Sequence, residues 1–383
     1  MKPGPASRRS GYYAAVFGLI GIQLPFWPVW LESRGLDAAE IGLFFSAALW
    51  VKTISNPLIG GAVDRTGERR RPMILFAALS LTGYALYPFA QGFWQILIIG
   101  MATGVTLAAL MPLGESLTMR LTYERGMDYG RIRLWGSVAF ILGALGAGSF
   151  LEGREPDTVL WLLLAALAAL LLACLSVPDH RQPKPTAQGF PILALLRKPQ
   201  FALFIAACGM LQASHTVYYG FATLHWRAAG LSDFTIGLLW AEGVAVEVAL
   251  FALGNKAVSR FGPIGLMLLA AGAGVLRWTV TAWTVDLVPL MAVQTLHGLT
   301  FGAAHLGAMH YIQRTVPGAQ SASAQSIYSA IGMGLVVGLA MSVSGLLYES
   351  EGGGAFLAMA ALSLVGGLLC LVLLRAGEPA AAP

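Results

Sequence analysis

About twelve stretches of roughly 20 predominantly apolar residues divide this chain, each long enough to cross a bilayer as an α-helix. They lie near 12–31, 41–63, 73–91, 93–117, 134–151, 158–177, 201–222, 235–254, 264–283, 288–310, 323–347 and 355–374. Hydrocarbon offers the backbone no hydrogen-bond partner, so a spanning segment must satisfy its own amides, and a helix does this. The expected fold class is therefore an all-α membrane protein. Composition agrees, because 57% of the residues are hydrophobic and only 11% are charged, too few charges to cover a water-facing surface. The first apolar run, 12–31, is longer than a signal-peptide core and no clear A-x-A cleavage site follows it, so it reads as an uncleaved span. Cys174, Cys208 and Cys370 fall inside apolar runs with no metal-ligand spacing, which supports neither a disulfide framework nor a metal site.

The net charge of +5 does not point to nucleic acid, because the basic residues sit in alternate short loops. Arg8 and Arg9, the run Arg69-Arg70-Arg71, Arg131 and Arg133, Arg197 and Lys198, and Arg375 occupy one set of loops; the other set holds Arg34, Arg154 and Arg227. The positive-inside rule then places both termini in the cytoplasm and makes the number of spans even. The proline-rich and basic stretch 178–200 reads as a cytoplasmic linker. It separates a first six-helix bundle, 1–177, from a second, 201–383. The halves are related, since an offset of 195 positions aligns Gly35 with Gly230 and Ala62-Val63-x-Arg65-x-Gly67 with Ala257-Val258-x-Arg260-x-Gly262. Six spans per half make this a parallel repeat about an axis along the membrane normal.

The loop after the second span reads Gly60-x-x-x-Asp64-Arg65-x-Gly67-x-Arg69-Arg70. Asp64 at a helix end can accept charge-assisted hydrogen bonds from arginines, Gly60 allows close helix approach, and Gly67 permits a tight turn. The set can latch one conformation and release it in another; a plain positive-inside loop needs no Asp64. In the second copy Asn255 and Ser259 replace the glycine and the aspartate.

Charges inside the spans are the default functional candidates, because each costs roughly 2.5–3.5 kcal/mol at a helix centre. They are Lys52, Glu115, Glu242, Glu247 and Arg277, with His215, His297 and His305 also within spans. At the helical rise, His215, Glu242, Arg277 and His297 fall at one depth, roughly 9–14 Å below the outer boundary. Such a set can couple protons; the alternative is a static Glu242–Arg277 pair that fixes packing. Lys52 lies near mid-depth with Asn56 one turn further along the same face, and the repeat places Glu247 opposite Lys52. These two could pair when no substrate is present, an anionic substrate then displacing Glu247, which takes a proton, and using Lys52 as its counter-ion; the alternative is a permanent salt bridge between the halves. Glu115 is expected to pair with nearby arginines, Trp30 to anchor at the interface, and Tyr218 and Tyr219 to line an aromatic site.

The signature loop matches that of the major facilitator superfamily. Further stretches resemble its 3-phenylpropionate transporter family, which is related to the sugar– and nucleoside–proton symporters. These are Leu24-Pro25-Phe26-Trp27-Pro28-Val29-Trp30-Leu31, Asp128-Tyr129-Gly130-Arg131-Ile132-Arg133-Leu134-Trp135-Gly136-Ser137, His215-x-x-Tyr218-Tyr219-Gly220-Phe221, Gly243-Val244-x-x-Glu247, Arg277-Trp278 and Gln294-x-Leu296-His297. The resemblance implies two pseudo-symmetric six-helix bundles of the major facilitator fold with a site at mid-depth between them. It implies proton-coupled uptake of a small aromatic carboxylate by alternating access, in a bacterial inner membrane. It also matches Glu242 or Glu247, Arg277 and His297 in kind with the coupling residues of sugar–proton symporters. Lys52 stands where that family is expected to carry an arginine. A sugar or nucleoside symporter is the alternative, and a non-transporting sensor or scaffold a third reading. No Walker loop or hydrolase motif occurs in the sequence, so no enzyme activity and no cofactor is expected, with the proton gradient as energy source. Span 5 lacks the Gly-Pro signature of drug–proton antiporters. The expected partners are an organic anion, protons and lipid, and the expected state is a monomer.

Overall fold

The computed structural model describes residues 5–125, 129–178, 195–317 and 320–377. Among these the chain is helical throughout, with no strand. Helices α1 (Pro5–Ser33), α2 (Ala38–Thr66), α3 (Arg70–Leu86), α4 (Gly92–Arg125), α5 (Tyr129–Leu151) and α6 (Asp157–Ser176) cover the first six expected spans. They run past the apolar limits at several ends because polar turns continue the helix. Asp37 begins α2 with a capping box, its side chain accepting from the Glu40 amide while Glu40 Oε2 accepts from the Asp37 amide.

The seventh span is two helices, α7 (Pro199–Ala213) and α8 (Thr216–Ala228); α9 (Asp233–Ala252) and α10 (Gly254–Trp283) follow. The tenth span is α11 (Leu287–Gln294), a π-helical segment at Gly298–Ala303, and α12 (Ala304–Thr315). The eleventh is α13 (Ser321–Ile327), a second π-helical segment at Tyr328–Leu335, and α14 (Val336–Glu351); α15 (Ala355–Arg375) is last. Eleven described helices are long and apolar enough to cross a membrane, and the last of them, Ser323–Arg375, has 53 residues. At 1.5 Å per residue it would be about 80 Å long, far beyond a hydrocarbon core of about 30 Å. Gly352, with φ 55° and ψ −125°, ends α14 within it. The stretch thus supplies two crossings, which gives the twelve expected.

Two compact units emerge, Met1–Ala187 with Gly230–Ala241, and Gln188–Ala229 with Glu242–Pro383. The first half of α9 joins the first unit through backbone-level packing on α5. A Cβ on Gly237 would stand 3.1 Å from the Ala144 carbonyl carbon. Most of the expected linker, residues 179–194, lies outside the described residues.

In the first unit α1 packs against α5 and α6, α2 against α4, and α3 against α4 and α6. Lipid tails are as apolar as leucine, so close backbone contact rather than water exclusion must hold such helices together. The α1–α5 seam shows this, since a Cβ on Gly143 would lie 2.7 Å from the Gly18 carbonyl oxygen. In the second unit α10 packs against α12 and α15, α7 against α15, and α8 against α14. Phe204 and Tyr311 stack there at 4.4 Å within the buried core.

The internal repeat reappears in the backbone. Gly35 and Gly230 have φ 83° and 90°, and Gly67 and Gly262 have φ 71° and 68°. A side chain at such angles clashes with its own backbone, so both copies keep glycine even where the polar residues between them have diverged.

Candidate functional site

The second unit gathers its buried polar groups around Arg277 of α10. Arg277 is fully buried. Its Nε and Nη2 donate to Gln294 Oε1 at 3.2 and 2.6 Å, and its Nη1 donates to His297 Nδ1 and Thr300 Oγ1, both at 3.0 Å. The guanidinium also lies 4.6 Å from the Tyr218 ring and 4.3 Å from the Trp278 ring. Desolvating an arginine costs several kcal/mol. Hydrogen bonds to a charged group contribute roughly 1.5–3 kcal/mol each, so these four are of the size needed to offset it. All three acceptors, Gln294 Oε1, His297 Nδ1 and Thr300 Oγ1, are neutral.

His297 connects the arginine to an acid. A guanidinium only donates, so Nδ1 of His297 must be the bare nitrogen and its proton sits on Nε2. That Nε2 lies 3.6 Å from Glu247 Oε2. Gly298 and Gly302 in the π-helical segment let α9 come this near. A Cβ on Gly302 would meet Glu247 Cγ at 3.5 Å, and one on Gly298 would meet Val246 at 3.0 Å. On the other side Thr300 Oγ1 lies 3.1 Å from His215 Nε2. His215 sits in the break between α7 and α8, with its ring stacked on Tyr219 at 5.7 Å. Gln294 extends the set by donating from Nε2 to the Tyr218 hydroxyl at 3.3 Å.

Of the four residues expected at one depth, His215, Arg277 and His297 are joined. The static Glu242–Arg277 pair is not formed, because the partners of Arg277 are the neutral groups named above. The acid that reaches the cluster is Glu247. Glu242 Oε2 is buried without a hydrogen-bond partner among the described residues. The physical reason is angular: five residues along a helix turn a side chain by about 140°, so only one of the two acids can face span 10. Sequence reasoning passed over Thr300 and missed the role of Gln294, since neutral hydroxyls and amides in apolar runs carry no signal of their own. His305 lies apart, with Nδ1 3.2 Å from the Tyr328 hydroxyl.

In the first unit Lys52 of α2 is exposed, and it forms no ion pair among the described residues. Ser55 Oγ and Asn56 Oδ1, one turn away, are buried with no hydrogen-bond partner among the described residues. Most buried polar groups are paired, so this face of α2 is chemically unsatisfied. Glu115 pairs as expected, 3.6 Å from Arg133 Nε and accepting from the Tyr129 hydroxyl. Arg133 also lies 3.9 Å from the Phe17 ring.

The signature loop is assembled around Arg69. Its Nη2 meets Asp64 Oδ1 at 2.7 Å and its Nε donates to Ser116 Oγ of α4 at 2.9 Å. Arg70 Nη2 donates to the Leu175 carbonyl at the end of α6 at 2.7 Å, while Arg65 is exposed. Gly67 supplies the left-handed cap of α2. Gly60 departs from expectation: a Cβ there would meet nothing within 4 Å, so no helix crowds it. Trp30 also departs from its expected role as an interface anchor. It is fully buried, stacked on Trp27 at 4.7 Å and bonded through Nε1 to Asp157. Tyr84 and Tyr87 complete that aromatic cluster.

Among the described residues no group of three or more histidine, cysteine, aspartate or glutamate side chains could hold a metal. The MFS_1 like family matches residues 7–358. A curated relative, the "Probable 3-phenylpropionic acid transporter" of Escherichia coli (strain K12), is 35% identical over 366 residues, covering 92% of this chain and 94% of that protein. The "Maltose permease" of Geobacillus stearothermophilus is 28% identical and covers 98% and 97%. Among solved structures, the nucleoside transporter NupG superposes with a TM-score of 0.84 at 18% identity, covering 98% of this chain and 98% of that one.

Proposed function

Since the chain belongs to the MFS_1 like family of multi-pass membrane transporters, we propose that it imports a small aromatic carboxylate, such as 3-phenylpropionate, together with protons. It does so by alternating access, as a monomer in a bacterial inner membrane with both termini in the cytoplasm. What carries the reading is the charge balance of the span interiors. Apart from Glu115, which pairs with Arg133, the charges within the spans are Lys52 in the first unit and Glu242, Glu247 and Arg277 in the second, two of each sign. A carboxylate entering that interior adds one negative charge where burial of unbalanced charge is costly. One proton taken up with it restores neutrality. Glu247 is the natural acceptor, because it faces a histidine whose other nitrogen is held by an arginine. Lys52, with Ser55 and Asn56 beside it, offers a cation and unsatisfied polar atoms for a substrate carboxylate. Tyr218 and Tyr219 supply apolar ring faces for an aromatic group. The relative named for 3-phenylpropionic acid supports the substrate class; those named for maltose and nucleosides support a neutral polar substrate instead.

The two substrate classes separate in proteoliposomes. Protein is reconstituted with a pH reporter inside, and phenylpropionate, cinnamate, nucleosides and sugars are added in turn, with Glu247→Gln as control. Proton entry driven by the aromatic carboxylates and abolished in Glu247→Gln is the expected result. A signal from sugars or nucleosides alone overturns the carboxylate reading, and no signal from any solute favours a sensor or scaffold.

A further inference from the structure

We propose that Thr300 is a positioning residue for transport: its single hydroxyl sets the proton forms of His215 and His297 and joins the break in span 7 to the π-helical segment of span 10. The hydroxyl has three neighbours, Arg277 Nη1 at 3.0 Å, His215 Nε2 at 3.1 Å and, further off, the His297 carbonyl at 3.4 Å. The arginine can only donate, so Thr300 Oγ1 accepts from it. His215 Nδ1 faces the Leu211 carbonyl at 3.2 Å, and a carbonyl only accepts. His215 therefore carries its proton on Nδ1, and Nε2 is the bare nitrogen that receives the Thr300 proton. The hydroxyl gives its hydrogen to His215 Nε2, the nearer of its two acceptors, rather than to the His297 carbonyl, and a lone pair to Arg277, in the same direction along the chain of bonds.

The consequence extends to the third partner. Arg277 Nη1 divides its two hydrogens between Thr300 and His297. Taking away the Thr300 acceptor leaves one of them buried and unmatched, a cost that favours any reorientation of the guanidinium away from His297 towards another acceptor. His297 Nδ1 is then free to hold a proton, and Glu247 no longer faces a fixed Nε2–H. Thr300, His215 and Arg277 are each no more than 2% exposed, so water does not readily replace a lost bond. Both spans that carry the joint are irregular at that point: α7 ends at Ala213 and α8 begins at Thr216, while Thr300 lies within Gly298–Ala303. Broken and π-helical segments in membrane spans mark places where backbone is shaped by function. A hydrogen bond between two such segments gives movement of either one a route to Arg277.

The test reads histidine tautomers by nitrogen-15 spectroscopy of protein labelled at its six histidines, with His215→Asn and His297→Gln used for assignment. In the unaltered protein His215 should be protonated at Nδ1 and His297 at Nε2. Thr300→Ser should keep both patterns. Thr300→Val, nearly the same size but without the hydroxyl, should alter both. An unaltered protein with His215 protonated at Nε2 overturns the proposal before any variant is made. So does a Thr300→Val protein whose two signals are unchanged, or a Thr300→Ser protein that behaves like Thr300→Val. A second readout rests on the carboxylate-symport reading: the rate of phenylpropionate-driven proton entry should fall about tenfold or more in Thr300→Val, the size of one lost hydrogen bond to a charged group, and recover in Thr300→Ser. Absence of any phenylpropionate signal in the unaltered protein removes the substrate reading alone, while the tautomer pattern still decides Thr300.

Discussion

Arg277 donates from Nη1 to Nδ1 of His297 across 3.0 Å, and this bond dictates which face of the imidazole carries hydrogen. With Nδ1 occupied as an acceptor, the only N–H of His297 points at Glu247, 3.6 Å away. A proton added to Nδ1 would have to displace the arginine and stand beside its positive charge. On the proposed symport reading, Glu247 is therefore the group expected to exchange a proton without dismantling the rest.

Replacing Arg277 by lysine should be far from conservative. A lysine ammonium has no planar fork, so it cannot bond Gln294, His297 and Thr300 together as the guanidinium does. We expect Arg277→Lys to lose at least about tenfold in uptake rate and about 1–3 kcal/mol in stability from the buried acceptors left unpaired. Thermal melts in detergent alongside transport assays check both, and near-normal uptake in Arg277→Lys would contradict the assigned role.

Glu247→Gln should separate movement of the solute from movement of the proton. Glutamine preserves size but can neither bind nor release a proton at this position. Solute exchange down a gradient should persist, while uphill uptake and its rise on acidifying the outer medium should vanish. The sign follows from symport: a proton gradient directed inwards drives the solute inwards only if the two travel together. Comparing exchange with net uptake at two external pH values decides it.

Asp64→Asn should affect rate more than stability. Asp64 is 41% exposed beside Arg69 at 8%, and the amide oxygen of the replacement can still accept from Arg69 while Ser116 keeps its bond, so the cost should be about 1 kcal/mol. The melting temperature should therefore hardly move. If the pair latches one conformation, its loss should shift the equilibrium between states and lower the turnover rate, with substrate affinity retained. Equal losses of stability and rate would instead make the pair a plain structural contact.

Gly143→Val tests the α1–α5 seam. A Cβ there would stand 2.7 Å from the Gly18 carbonyl oxygen, so two rigid backbones would have to separate. The expected cost is about 1–3 kcal/mol, read as a lower melting temperature. Gly146→Ala on the same helix is the control, because its Cβ would meet nothing within 4 Å and should leave the melt unchanged.

Several features were open to a reading of the residues alone. The span interiors, the signature loop and the repeat were legible because each is a matter of local composition or spacing. Gly67 was marked as permitting a tight turn, and its repeat counterpart Gly262 shares the left-handed backbone that glycine adopts cheaply. Arg277, His297 and Glu247 were candidates simply because ionisable groups in apolar runs are costly. Trp30 was misjudged because position near a span end suggests an interface, whereas Asp157 and Trp27 draw it into the unit's core.

The sequence by itself determined that this chain crosses the membrane repeatedly, that its halves carry one repeated pattern, and which few ionisable groups must be sheltered from lipid. Those properties follow from hydropathy and glycine placement, which are additive along the chain. Only the tertiary structure decided that Glu247 rather than Glu242 meets His297, and that Gln294 and Thr300 complete the shell of Arg277. Such choices depend on the rotational phase of each helix. A break at Ser214–His215 and a π-helical segment at Gly298–Ala303 reset that phase in ways a regular 3.6-residue period cannot foresee.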